Sequence, residues 1–201
     1  MRWNRFFDDL EDQLASEWEA ERASVDSETE RLRVSRLSMR ERWQSVLQAP
    51  GSPRHPSFDL ADGTIATGAI TAVGADWVAL EADQPRPRTT LIPSEAIMGV
   101  GMPQADLERS VRPATSAAAD LSARMTFGFV LRDLARRRMC VSVHDVRGRA
   151  LTGTIDRAGS DHLDLALHEP DAPRRSAEVT GHRMIPLAAV AWVGLDAHAR
   201  L

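Results

Sequence analysis

Residues 58–80 (FDLADGTIATGAITAVGADWVAL) and 143–165 (VHDVRGRALTGTIDRAGSDHLDL) align without a gap. Seven of the 23 positions are identical: Gly63/Gly148, Thr67/Thr152, Gly68/Gly153, Ile70/Ile155, Gly74/Gly159, Asp76/Asp161 and Leu80/Leu165, all at an offset of 85. The match resumes downstream, where LIPSEAIMGV (91–100) lies against MIPLAAVAWV (184–193) after a longer hairpin in the second copy. A spacing this long exceeds that of solenoid repeats, so the chain reads as a duplicated domain.

Both copies have the same physical reading. The first glycine (63, 148) turns one strand into the next. The glycine inside the second strand (68, 153) marks a bulge or sharp bend, the device that closes a small barrel. The Gly-x-Asp turn (74–76, 159–161) leads into a third strand at 77–80 or 162–167, and turn formation accounts for Asp76 and Asp161. A polar, proline-containing hairpin follows, then a fourth strand ending in Ile-Pro and a short last strand, AIMGV or AVAWV. Five short strands with tight turns predict a small antiparallel barrel in each copy.

Helical patterns precede both copies. Trp3, Phe6, Phe7, Leu10, Leu14 and Trp18 form an apolar stripe at a period of about 3.6. The stripe resumes at Val25, Leu32, Met39, Trp43 and Val46, either on one long helix or on two joined near 23–28. The first thirty residues hold ten acids and three arginines, whereas 31–42 hold five arginines and one acid. That order suits the helix dipole, and the stripe suits a dimerisation or docking arm. Before the second copy, Phe127, Val130, Leu131 and Leu134 form an apolar helical face. The expected organisation is a helical arm at 1–48, a linker at 49–57, a first barrel at 58–102, a linker at 103–120, a helix at 121–138 and a second barrel at 139–195. The expected fold class is mainly β with helices.

Bulk composition narrows the setting. The 201-residue chain has a formal net charge of −4, which argues against a broad nucleic-acid-coating surface but not against a local basic site. All 25 basic side chains are arginine, as a GC-rich bacterial genome would produce. The single cysteine, Cys140, excludes an internal disulfide and fits the cytoplasm. No apolar run approaches the ~20 residues needed to cross a membrane, and MRWNRFFDDLEDQL lacks the apolar core of a signal peptide.

The second copy carries a resemblance. RGRALTGTIDRAGSDHLDLAL (147–167) resembles the first motif of the Sm/Lsm (Hfq-like) family of small β-barrels. Gly153 and Ile155 stand where that motif has glycine and an apolar residue, and His162, Leu163 and Asp164 where it has a histidine or other residue, an apolar residue and asparagine. Asp164 replaces the asparagine, and the turn holds one extra residue. The second motif is poorer, with Met184 rather than glycine after Arg183. In the first copy Trp77 and Ala79 replace His162 and Asp164. The chain is also similar to a group of actinobacterial proteins built on this plan. The resemblance implies tandem Sm-like barrels and single-stranded RNA as a possible ligand. His162 would stack on a base, Asp164 would stand in the motif position beside it, and Arg183 would contact base or phosphate. Arg136, Arg137 and Arg138 would form a basic helix end, a placement the helix dipole also favours.

Catalytic signatures are missing from the sequence. There is no Gly-x-Ser-x-Gly, and GVG (99–101) runs into Met-Pro rather than a helix. His162, His168 and His182 lack a cysteine pair or metal-ligand spacing, so neither metal nor cofactor is expected. No small-molecule substrate is evident. Edge strands invite pairing with a second subunit or a peptide. The reading is therefore a non-catalytic scaffold with a protein partner or a copy of itself, and RNA binding by the second barrel is the alternative.

Overall fold

The computed structural model describes residues 2–49, 55–82, 88–112, 124–170, 175 and 177–195; the side chains of 2–12, 15, 16 and 20 lie outside this description. It divides into two units, residues 1–39 and 40–201.

The first unit is helix α1 (Arg2–Arg36), which runs unbroken through 23–28. At ~1.5 Å per residue it is about 52 Å long. Leu14, Trp18, Val25 and Leu32 of its apolar stripe are all exposed. Solvent-facing pairs such as Arg33–Glu30 run along it. Trp3, Phe6, Phe7 and Leu10 fall on the same helix, and their side chains lie outside the described residues.

The second unit begins within α2 (Met39–Gln48), at Arg40, and Trp43 and Val46 of this helix are buried. The first copy follows: β1 (Ser57–Leu60), β2 (Ile65–Thr67), β3 (Ala69–Val73), β4 (Trp77–Glu81), β5 (Thr89–Pro93), a 3-10 turn and β6 (Ile97–Gly101). Within the stretch expected as a linker lies a short helix, α3 (Gln104–Ser110); residues 113–123 are outside the described set. Helix α4 (Phe127–Arg137) then leads into β7 (Cys140–Asp145), β8 (Ala150–Ala158), β9 (His162–Leu167), β10 (Gly181–Pro186), a 3-10 turn and β11 (Val190–Leu195). All four residues of the apolar face read from the sequence, Phe127, Val130, Leu131 and Leu134, are buried.

The expected pair of five-stranded barrels is not what forms. The fold mixes α and β: four helices, one eight-stranded antiparallel sheet and one three-stranded sheet, with no closed barrel among the described residues. The strand orders are β10-β9-β8-β7-β11-β5-β4-β3 and β2-β1-β6. Two physical causes stand out. Strand β11 pairs with β7 on one side and with β5 of the other copy on the other, so the sheet continues instead of closing. In the first copy the second strand breaks at Gly68, which separates β2 from β3 and splits that copy between the sheets.

The repeat nevertheless holds in detail. Both copies order their strands fifth, first, second, third, fourth. Both carry a register shift at the same place in the second strand, between Ile70 and Ala72 and between Ile155 and Arg157. This bulge lies three residues beyond the glycine expected to mark it. Gly68 and Gly153 serve a close approach instead: a Cβ at either would collide with the backbone carbonyl of Glu81 or Ala166. Gly63 and Gly148 sit at φ +82° and +78°, which the tight turn between first and second strands requires.

Candidate functional site

Where the two copies meet, they define what each end of the molecule presents. Fourth strand β5 of the first copy lies against fifth strand β11 of the second, with Leu91 opposite Val193, Thr90 opposite Gly194 and Thr89 opposite Leu195. Leu91, Val193 and Leu195 are fully buried. Burying side chains of this size contributes roughly 1.5–3 kcal/mol each. Polar contacts lock the same joint. Asp76 Oδ1 accepts the Phe127 N–H at the start of α4 at 2.6 Å, and Trp77 Nε1 donates to the Met125 carbonyl at 2.9 Å. Trp192 stacks on His144 with 3.4 Å between ring centroids and donates through Nε1 to Asp62 at 3.0 Å. Asp62 is held below the usual carboxylate range: partial burial pushes it up, and hydrogen bonds from Thr64 and Trp192 outweigh that. Burial holds His144 below the ordinary histidine value, favouring a neutral ring in the stack.

At the far end of the sheet, β10 pairs with β9 and, among the described residues, with nothing else. Met184 on this edge is 71% exposed. Beside it the lining of a groove of about 550 Å³ includes Arg138, Asp156, Arg157, Asp164, His182, Arg183 and Met184. The groove thus carries three arginines against two carboxylates. Arg183 Nη1 donates to its neighbour's carbonyl, on His182, at 3.0 Å. Arg138 ends α4 in the left-handed conformation, φ 53°, and this exposed residue is part of the groove lining.

The sequence-derived site residues separate into three places. Arg138, Asp164 and Arg183 come together in the groove. Arg136 and Arg137 pair instead with Asp133 one turn back on α4, at 2.5 and 2.6 Å. His162 packs at the β8–β9 turn beside Gly159 and bonds Asp161 at 2.8 Å, outside the groove lining. That bond holds Asp161 below the usual carboxylate range. His168 is buried and committed, with Nε2 on Thr154 Oγ1 and Nδ1 on the Glu169 carbonyl, both at 2.8 Å. Among the described residues no three His, Cys, Asp or Glu side chains gather as a metal-holding group. Arg157 and Asp156 escaped the sequence reading. Their signal was the repeat itself, which places charge at 156 and 157 where the first copy has Thr71 and Ala72.

The eight-stranded sheet ends on its other side in β3, and the three-stranded sheet has β6 at one edge, which pairs with β1 and, among the described residues, with nothing else. Met98 there is 64% exposed. No described helix is long and apolar enough to cross a membrane. Comparison of the chain with protein-family models, curated proteins and solved structures returned no match.

Proposed function

We propose that this protein is a non-catalytic interaction scaffold whose working surface is the free β10 edge with its adjoining groove. One observation carries the reading. The fourth strand of the first copy is covered by another module, whereas its equivalent in the second copy has no strand on its outer side among the described residues and carries an apolar residue at the covered position. An edge strand supplies main-chain donors and acceptors for affinity, and the side-chain pockets beside it supply specificity. The exposed apolar stripe of α1 offers a second contact surface. The mixed charge of the groove supports a polar protein partner better than a polyanion, because Asp156 and Asp164 lie among its arginines.

The test is a pull-down of the tagged full chain with and without nuclease, comparing wild type with Met184→Asp. The expected result is a bound protein that survives nuclease and is lost in the variant. Bound RNA that disappears with nuclease and falls in Arg183→Ala would favour the RNA reading instead. Capture unchanged in both variants would remove the β10 edge from either account.

A further inference from the structure

Helix α1 carries a long row of exposed apolar side chains: Leu14, Trp18, Val25 and Leu32 are 49% to 63% exposed. We infer that this row pairs antiparallel with the α1 row of a second copy, about a two-fold axis at Val25. The inference rests on the scaffold reading and names the partner of its second contact surface.

The row has the symmetry that such a pair requires. Positions 14, 18, 21, 25, 29, 32 and 36 follow spacings of four, three, four, four, three and four, which keep them on one side of a helix. The spacings read the same in both directions from Val25. A two-fold contact is isologous, so that residue i meets residue j and j meets i. Centred on Val25, the antiparallel pair sets Trp18 against Leu32 twice and Val25 against Val25. Leu14 falls at the level of Arg36, whose methylene stem can cover it. Glu21 falls at the level of Thr29, whose hydroxyl can donate to it.

Charge chooses the direction. Residues 1–30 hold ten acids and three arginines, and 31–42 hold five arginines and one acid. A parallel, in-register pair would set Glu17, Glu19 and Glu21 beside their own copies, and Arg31 and Arg33 beside theirs, and such like-charge contacts are costly. The antiparallel pair instead brings Glu17 and Glu19 of one helix to the level of Arg31 and Arg33 of the other. At 3.6 residues per turn, Glu17 and Arg31 fall on one flank of the row and Glu19 and Arg33 on the other. The two-fold axis sets each flank beside its own copy, so the bridges across the pair are Glu17–Arg31 and Glu19–Arg33. Within one helix Arg31 lies 3.8 Å from Glu28 and Arg33 lies 2.6 Å from Glu30, both in exposed pairs. Exposed pairs of this kind contribute little, and a guanidinium has five N–H donors with which to serve a second carboxylate.

Sedimentation velocity on the full chain over a concentration series, joined to cross-linking, tests this. Dimers are expected. Val25→Glu brings two carboxylates together at the axis and is expected to weaken association tenfold or more; Val25 is 60% exposed, so the fold of the monomer does not depend on it. The double variant Glu17→Arg/Glu19→Arg is expected to weaken association to a similar degree. Adding Arg31→Glu/Arg33→Glu restores opposite charges and is expected to recover it. Direction is read from single cysteines placed in a Cys140→Ala background under mild oxidation. Val25→Cys is expected to link two chains. Leu32→Cys is not, because its own copy would lie about 21 Å away along the helix. A wild type that stays monomeric, a dimer indifferent to Val25→Glu, or linking at 32 as strong as at 25 overturns the inference. A monomeric wild type that still captures a protein through Met184 overturns helix pairing and leaves the β10 reading standing. A dimer lost in Val25→Glu, with capture indifferent to Met184→Asp, supports helix pairing and overturns the β10 reading.

Discussion

The two copies share strand order, bulge position and turn glycines, yet one is joined along its fourth strand and the other, among the described residues, is open there. Their differences follow that contrast. Where the first copy has Ala72, Ala79 and Leu91, all packed in the joint core, the second has Arg157, Asp164 and Met184, which line the groove. Where the first has Trp77 with its indole on Met125, the second has a half-buried His162 on Asp161. A position in a repeated fold is apolar when another module covers it, so the side chains report the joint and not the strand.

The sharpest way to break this comparison is to put the same charge at both equivalent positions. Leu91→Asp buries an unpaired carboxylate in the joint and is expected to cost about 4 kcal/mol or to unfold the second unit. Met184→Asp is expected to change urea stability by no more than ~0.5 kcal/mol, because its side chain is in solvent. Next comes the aromatic pair. Trp77→Ala should cost roughly 3–5 kcal/mol through the cavity and the lost hydrogen bond, against about 1 kcal/mol or less for His162→Ala. The turn carboxylates should follow: Asp76→Ala strips the acceptor from the first N–H of α4 and should cost about 1–2 kcal/mol, with Asp161→Ala near zero on the same chemical-denaturation assay.

The smallest expected effect concerns pH. Burial beside Trp192 lowers His144, with Arg88 acting in the same direction and Asp62 and Asp145 opposing. A folded value below the unfolded 6.5 means the unfolded chain binds the proton first. Stability contributed by the neutral ring is therefore complete above 6.5 and declines as pH falls from there toward the lowered folded value. Urea midpoints measured across that window in wild type and His144→Phe would check it. The variant should lose this part of the slope, and an unchanged slope would assign it to other groups.

Much of the architecture was legible in the sequence because it is local. The positive-φ glycines, the Gly-x-Asp turns, the Ile-Pro ends of the fourth strands and the buried face of α4 each follow from short-range sterics or periodicity. The site was legible only in part. Arg138, Asp164 and Arg183 gather as a set, but Arg136 and Arg137 turn to Asp133 and His162 turns to Asp161, because a nearby carboxylate outcompetes a distant groove.

The sequence by itself determined the duplication, since identical turns and matched hydrophobic spacing encode the same hairpins twice. Only the tertiary structure decided that the copies do not close into barrels. Closure depends on which strand β11 meets, and that choice is made by non-local packing: Leu91, Val193 and Leu195 bury one another across more than a hundred residues of chain, and no local pattern can specify a partner at that distance.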